Sequence, residues 1–271
     1  MEKLKQVKIE LKKICKDINY FLKAELKSLK DVEEFEKRLK KLSTEILCQD
    51  LRQWEENSLK IFAEVVTEQR RKFGSYVAEF IKYQRENNVP LKELHNAWRV
   101  SHLKMMLKPE TSSVKFVYND QNIMDWKVVS ATEGIRKNFE QATKELERYM
   151  LPTGIFTDLL LRAYEYYFLR KRKDKITVPS GIPIKDFYEE LQVELFRLKL
   201  SNRKIKVEKL PLWAFLYNLD RYFANYKNIP SNKRIAVQSG SQHEIQKGMG
   251  MVLNGLNPLD EYKTCCYVKK G

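Results

Sequence analysis

Val114-Lys-Phe-Val-Tyr118 and Ile123-Met-Asp-Trp-Lys-Val-Val129, separated by Asn119-Asp-Gln-Asn122, are the clearest short-period segment of the chain. Two runs rich in β-branched and aromatic residues around an Asn/Asp cluster predict a β-hairpin. Upstream, the apolar residues recur at helical spacing. Pro90, after the turn signal Asn87-Asn88-Val89, suits the first turn of a helix carrying Leu91, Leu94, Trp98, Leu103 and Met106, and Pro109 ends it.

Further upstream, Met1 to Val89 holds no proline and one glycine, Gly74. Leu4, Val7, Leu11, Ile14, Ile18, Leu22, Leu26 and Leu29 step by three or four, as do Val32, Phe35, Leu39, Leu42 and Ile46. They predict an antiparallel helical hairpin, and a third helix is expected from Trp54 to Arg85 with Leu59, Phe62, Val66, Phe73, Val77, Phe80 and Ile81 inward. Downstream, Ser130-Ala-Thr-Glu133 has the spacing of a capping box and opens a helix through Ile135, Phe139, Ala142, Leu146 and Tyr149 that Pro152 stops.

Beyond Pro152 the texture changes. Helices are expected at Ile155–Arg170, Ile184–Leu200 and Pro211–Tyr226, with a short strand at Ile176–Val178. Five of the nine glycines follow Pro230, among Ile235–Val237, Met251–Leu253 and Cys265–Val268, which predicts a small terminal sheet. The expected fold is therefore α+β and mainly α. Residues 1–150 form a helical region with a hairpin at about 114–129, and residues 151–271 form a smaller basic α/β module in the order of a winged helix.

The chain of 271 residues carries 51 Lys and Arg against 36 Asp and Glu, a formal charge of +15. Residues 151–271 hold 21 basic and 12 acidic side chains, so basicity is concentrated there, and polyanions are the expected partners. Arg170, Lys171, Arg172, Lys173, Lys175, Arg203, Lys204, Lys206, Lys209, Lys233, Arg234 and Lys247 are the candidate phosphate contacts, flanked by Lys227 and by interleaved tyrosines and phenylalanines. Replacing members of the Arg170–Lys173 run is expected to leave stability nearly unchanged. Upstream, helix, turn, helix and hairpin also follow the order of a helix-turn-helix with a wing, with donors at Lys92, Asn96, Arg99, Ser101, His102 and Lys104.

The function expected is nucleic-acid binding, to DNA or RNA, without catalysis, and with protein partners or self-association through the helical faces. The alternative is a scaffold subunit of a larger assembly. A third reading is a nuclease-like enzyme built on His243, Glu244 and Lys247. The loop Gln238–Gly250 matches neither phosphate-binding glycine motif, so nucleotide hydrolysis and dinucleotide binding are not supported. Cysteines 15, 48, 265 and 266 have no metal spacing, so no cofactor is expected, and idle thiols fit a reducing cytoplasm. No apolar stretch approaches the roughly 20 residues of a membrane span, and the first residues do not read as a secretory signal.

Overall fold

The computed structural model describes residues 16, 20, 29–45, 49–173, 181–201, 207–260 and 263–271. The stripe from Leu4 to Leu26 and the segment Ile176–Val178 lie outside them. The chain falls into two compact units. One comprises Met1–Ile81, Leu107–Val114 and Lys127–Ile135, and the other Lys82–Met106, Lys115–Trp126 and Arg136–Gly271.

In the first unit, α1 (Leu29–Glu45) and α2 (Gln49–Glu86, continuing into the second unit) carry the expected apolar spacing. Val32, Phe35 and Phe62 form a buried cluster against Tyr20, Leu59 and Val66, with the Phe35 and Phe62 rings edge-on at 4.4 Å. The opposite side of α1 is solvated and carries the i,i+4 pairs Glu34–Arg38 and Glu36–Lys40.

Residues 91–128 overturn the expected fold class. They form a five-stranded antiparallel sheet in the order β1-β2-β3-β4-β5: β1 (Leu91–Leu94), β2 (Ala97–Val100), β3 (Leu103–Lys108), β4 (Ser113–Tyr118) and β5 (Gln121–Val128). The expected hairpin is the last two strands of this meander, and the helix expected at Leu91–Met106 does not form. Two turns of two residues replace it, because Leu94 pairs Ala97 and Val100 pairs Leu103. The left-handed residues are Asn96 (φ 53°) and Ser101 (φ 54°), so no glycine announces either turn. Strands of four residues place only two side chains on each face, and Leu91, Leu94 and Trp98 then fit a helical template equally well. Asn119 and Asp120, both at positive φ, close β4 and β5 as a type I′ turn.

In the second unit, α3 (Thr132–Arg148, from its fifth residue), α4 (Thr153–Lys173), α5 (Ile184–Ser201) and α6 (Leu212–Ala224) follow the sheet. α4 packs on α5 and α6. It turns Phe156, Leu159, Leu160, Ala163 and Tyr167 inward, and α5 turns Ile184, Phe187, Leu191 and Leu195 inward, each at steps of about one helical turn. The entry to α6 is fixed from α5. Tyr188 and Gln192 both donate to the Leu210 carbonyl (2.7 and 2.8 Å), and Gln192 accepts from the Leu210 N–H at 3.0 Å.

The terminal strands are β6 (Ile182–Pro183), β7 (Ile235–Gln238), β8 (Met251–Leu253), β9 (Lys263–Cys265) and β10 (Tyr267–Lys270), with the one-turn helix α7 (Gln242–Gln246) between β7 and β8. They form a three-stranded sheet β6-β10-β7 and a separate pair β8-β9, all antiparallel. This is not a winged helix. β7 pairs with the distant β10 rather than forming a wing with β8. α6, which would be the reading helix, buries nine of its residues and has no free face to lay in a groove.

Candidate functional site

α6 is the axis of the second unit. Asn218 accepts from the Leu151 N–H and donates to the Tyr149 carbonyl, both at 2.9 Å, and Arg221 donates to the Leu151 carbonyl at 2.9 Å. One turn on from Tyr217, Asp220 is 4% exposed. Its Oδ2 accepts from the Tyr118 hydroxyl at 2.6 Å and from Asn119 at 3.5 Å, and its Oδ1 accepts from the Gly255 N–H at 3.1 Å. Burial pushes the Asp220 carboxyl above its usual 3.8, and burial together with the facing carboxylate pushes the Tyr118 phenol well above 10.

A second buried group ties down the same loop. Arg99, 1% exposed, donates to the carbonyls of Gly255 (3.1 Å), Asn254 (3.2 Å) and Pro258 (3.4 Å). Within the loop, Asp260 Oδ2 accepts from the Asn257 N–H at 2.9 Å. Gly255 sits at φ +70°, and a Cβ there would lie 2.2 Å from Asp260 Oδ2.

This loop, α6, β7 and β8 enclose a cleft of about 810 Å³. Phe223, Tyr226, Val237 and Leu253 supply apolar lining, and Lys227 and Lys263, both exposed, stand in its lining with Asp260. The Phe223 and Tyr226 rings lie 5.8 Å apart at a 32° tilt. Arg234 stacks on the Tyr226 ring at 5.2 Å while donating to the carbonyls of Ile229 (2.8 Å) and Lys227 (3.2 Å), so it fixes the aromatic wall and the segment bearing Lys227.

Of the cations expected from sequence, those among the described residues have separate settings. Arg170 forms an ion pair with Glu190 (2.8 Å), whose side chain is only 4% exposed. Lys171 lies over the Tyr167 ring at 5.6 Å, and Lys233 pairs with Asp158 at 3.0 Å. Lys209 and Lys247 are exposed. Arg172 and Lys173 end α4, with side chains outside the described residues, as are Lys175, Arg203, Lys204 and Lys206. Of the expected set, the fold brings Arg234 to the cleft wall. Lys227 was legible as a flanking cation; Lys263, a single lysine ahead of two cysteines, carried no signal.

The helix-turn-helix donors of the first half are not on a helix: Lys92, Arg99 and Lys104 sit on β1, β2 and β3, and Asn96, Ser101 and His102 in the turns between them. Arg99 is buried, and Lys104 pairs with Asp120 at 2.8 Å. His102 stacks 5.2 Å from Tyr217, and its Nδ1 lies 3.0 Å from Ser101 Oγ while its buried Nε2 has no hydrogen-bond partner among the described residues. Burial, helped by the Arg99 charge, lowers its pKa from 6.5 to about 4.

Of the trio His243, Glu244 and Lys247, Glu244 has a structural task, while His243 and Lys247 are exposed. Ser241 and Glu244 form a capping box, with Glu244 Oε2 accepting from the Ser241 N–H at 2.7 Å and from its hydroxyl at 2.8 Å. Tyr267 donates to the other carboxylate oxygen, and these bonds hold Glu244 below its usual range. The nearby glycines serve close packing: a Cβ on Gly240 or Gly250 would lie 2.7 or 3.1 Å from Cys266 Sγ. Cys265 and Cys266 are free and buried, and burial pushes the Cys265 thiol up to about 12. No three metal-ligating side chains converge, and no helix is long and apolar enough to cross a membrane, among the described residues. Compared with known proteins, the chain matches no family model, no curated protein and no solved structure.

Proposed function

We propose that the protein binds single-stranded nucleic acid, holding bases against Phe223 and Tyr226 and phosphates at Lys227 and Lys263. The observation that carries this reading is the meeting of an aromatic wall and two exposed ammonium groups in one cleft. Aromatic rings stack on any base, and lysines beside them neutralise the backbone, the combination that sequence-tolerant single-strand binding needs. Both carboxylates of the cleft have structural partners, and two lysines outnumber the exposed Asp260. Asp220 is engaged by Tyr118 and Gly255, and Asp260 holds the turn at Asn257. A cytoplasmic setting agrees with the free thiols at Cys265 and Cys266.

Replacement of Tyr226 by leucine keeps apolar volume and removes the stacking surface. Stacking contributes on the order of 1–3 kcal/mol per base, so Tyr226→Leu weakens single-strand binding about fivefold or more at every salt concentration without altering the salt slope. Unchanged affinity would remove the cleft as the base site.

A scaffold role is the second reading. It is favoured by exposed apolar side chains on α4 and α5, with Leu169 at 55%, Phe196 at 54% and Leu200 at 71% exposure. In that case the variant above binds a partner protein normally and nucleic acid is not bound by either form.

A further inference from the structure

β5 ends the five-stranded sheet, so one side of its backbone has no neighbouring strand among the described residues. β5 has eight residues against six in β4, so it bulges between the two-residue turn at Asn119–Asp120 and its end. At that end the Val129 N–H donates to the Ser112 carbonyl at 2.8 Å, so by alternation the backbone groups of Lys127 and Asp125 face β4 and those of Trp126 and Val128 face outward. The second half of the strand is exposed on both faces. Trp126 is 40% and Val128 69% exposed, and Asp125 and Lys127 are exposed between them. Lys115 lies over the Trp126 ring at 5.8 Å, which places that ring on a face of the sheet rather than folded away from it. An apolar edge of this kind pairs readily with another strand unless charge prevents it.

We propose that β5 is a homodimerisation edge, pairing antiparallel with the β5 of a second copy of this chain about a two-fold axis at Trp126. The charge order selects this axis. With the two-fold at Trp126, Asp125 lies opposite the partner's Lys127 and Lys127 opposite the partner's Asp125, while Met124 meets the partner's Val128. A two-fold at Asp125 sets two carboxylates opposite each other, and one at Lys127 sets two ammonium groups opposite each other. A two-fold at Met124 leaves Asp125 against the partner's Ile123 and buries neither Trp126 nor Val128 against an apolar partner. The Trp126 axis alone gives two ion pairs on one face, an aromatic pair on the other, and outward N–H and C=O groups of both strands in register.

The competing outcome is that Asp125 and Lys127 are there to keep the edge unpaired. Sedimentation velocity of the full chain over about 1–200 μM separates the two. The proposal expects a concentration-dependent dimer. Asp125→Lys and Lys127→Asp each turn two attractions into two repulsions and weaken it about tenfold or more, and the double swap recreates both ion pairs and restores it to within about threefold. Circular dichroism confirms that each variant is folded, and if one single swap fails to fold, the comparison of the other with the double swap still decides. A wild-type monomer at every concentration overturns the proposal. So do single swaps that dimerise like wild type, or a double swap no better than the singles.

Discussion

Replacing Asp220 with alanine removes the acceptor that joins α6 to the 254–260 loop and to β4. The Tyr118 hydroxyl, on a residue with no exposure, then has no acceptor for its 2.6 Å bond, and the Gly255 N–H loses its 3.1 Å bond in a partly buried setting. A buried donor left unpaired costs about 1–3 kcal/mol, and a partly exposed one less, because water reaches it. Relief from burying a carboxylate offsets part of this, so the net loss is about 3 kcal/mol. For a chain of this size that lowers the melting temperature by about 6–12 °C. Tyr118→Phe removes the donor instead and leaves the carboxylate with its Gly255 and Asn119 bonds, at a cost of about 1–2 kcal/mol. Because the two residues share one bond, the double variant loses less than the sum of the singles, by about 1–2 kcal/mol. Urea unfolding at pH 7 of the wild type, both singles and the double measures that coupling. Additive losses would refute the Tyr118–Asp220 bond and with it the tie between β4 and α6.

Three further predictions follow the same reasoning. His102, held neutral by burial at a pKa of about 4, contributes stability that is present above 6.5 and lost as pH falls toward 4, up to about 3 kcal/mol. His102→Phe flattens that part of the stability profile in urea titrations between pH 7.5 and 4.5, and a parallel profile would contradict the assignment. Arg170→Ala strands the buried Glu190 carboxylate and costs about 1–2 kcal/mol, discounted for the half-exposed arginine, whereas Lys209→Ala stays within about 0.5 kcal/mol. Gly255→Ala meets both a left-handed backbone and the Asp260 side chain, so thermal melts place it at least about 1 kcal/mol below wild type.

Long helical stripes and strands rich in β-branched residues were legible in the sequence, and the four-residue strands at the start of the meander were not. The α2 stripe from Phe62 through Phe73 and Val77 to Phe80 is buried as its spacing implies, and the terminal strands at Ile235, Met251 and Cys265 form where their β-branched and apolar residues stand. β1 to β3 were hidden because His95-Asn96 and Ser101-His102 turn without glycine, and because four residues are too few to separate a period of two from one of 3.6. The cleft was hidden for a different reason. Its walls come from residues 220 to 263, and what unites them is tertiary: Asp220 and Arg99 fold the 254–260 loop against α6, and no local pattern encodes that meeting. Charge density pointed to the Arg170–Lys173 run, but the Arg170 charge is held by an interior glutamate, a partner that lies twenty residues away in sequence.

The most direct test of the nucleic-acid reading is a fluorescence titration of single-stranded RNA, single-stranded DNA and duplex DNA at several salt concentrations, using wild type and Lys227→Ala/Lys263→Ala. The account predicts binding of a single strand near physiological salt, weaker binding of the duplex, and a log affinity versus log salt slope that becomes shallower by about 1.4 in the double variant, about 0.7 for each phosphate contact removed. Absence of binding near physiological salt, or an unchanged slope in the double variant, would contradict it.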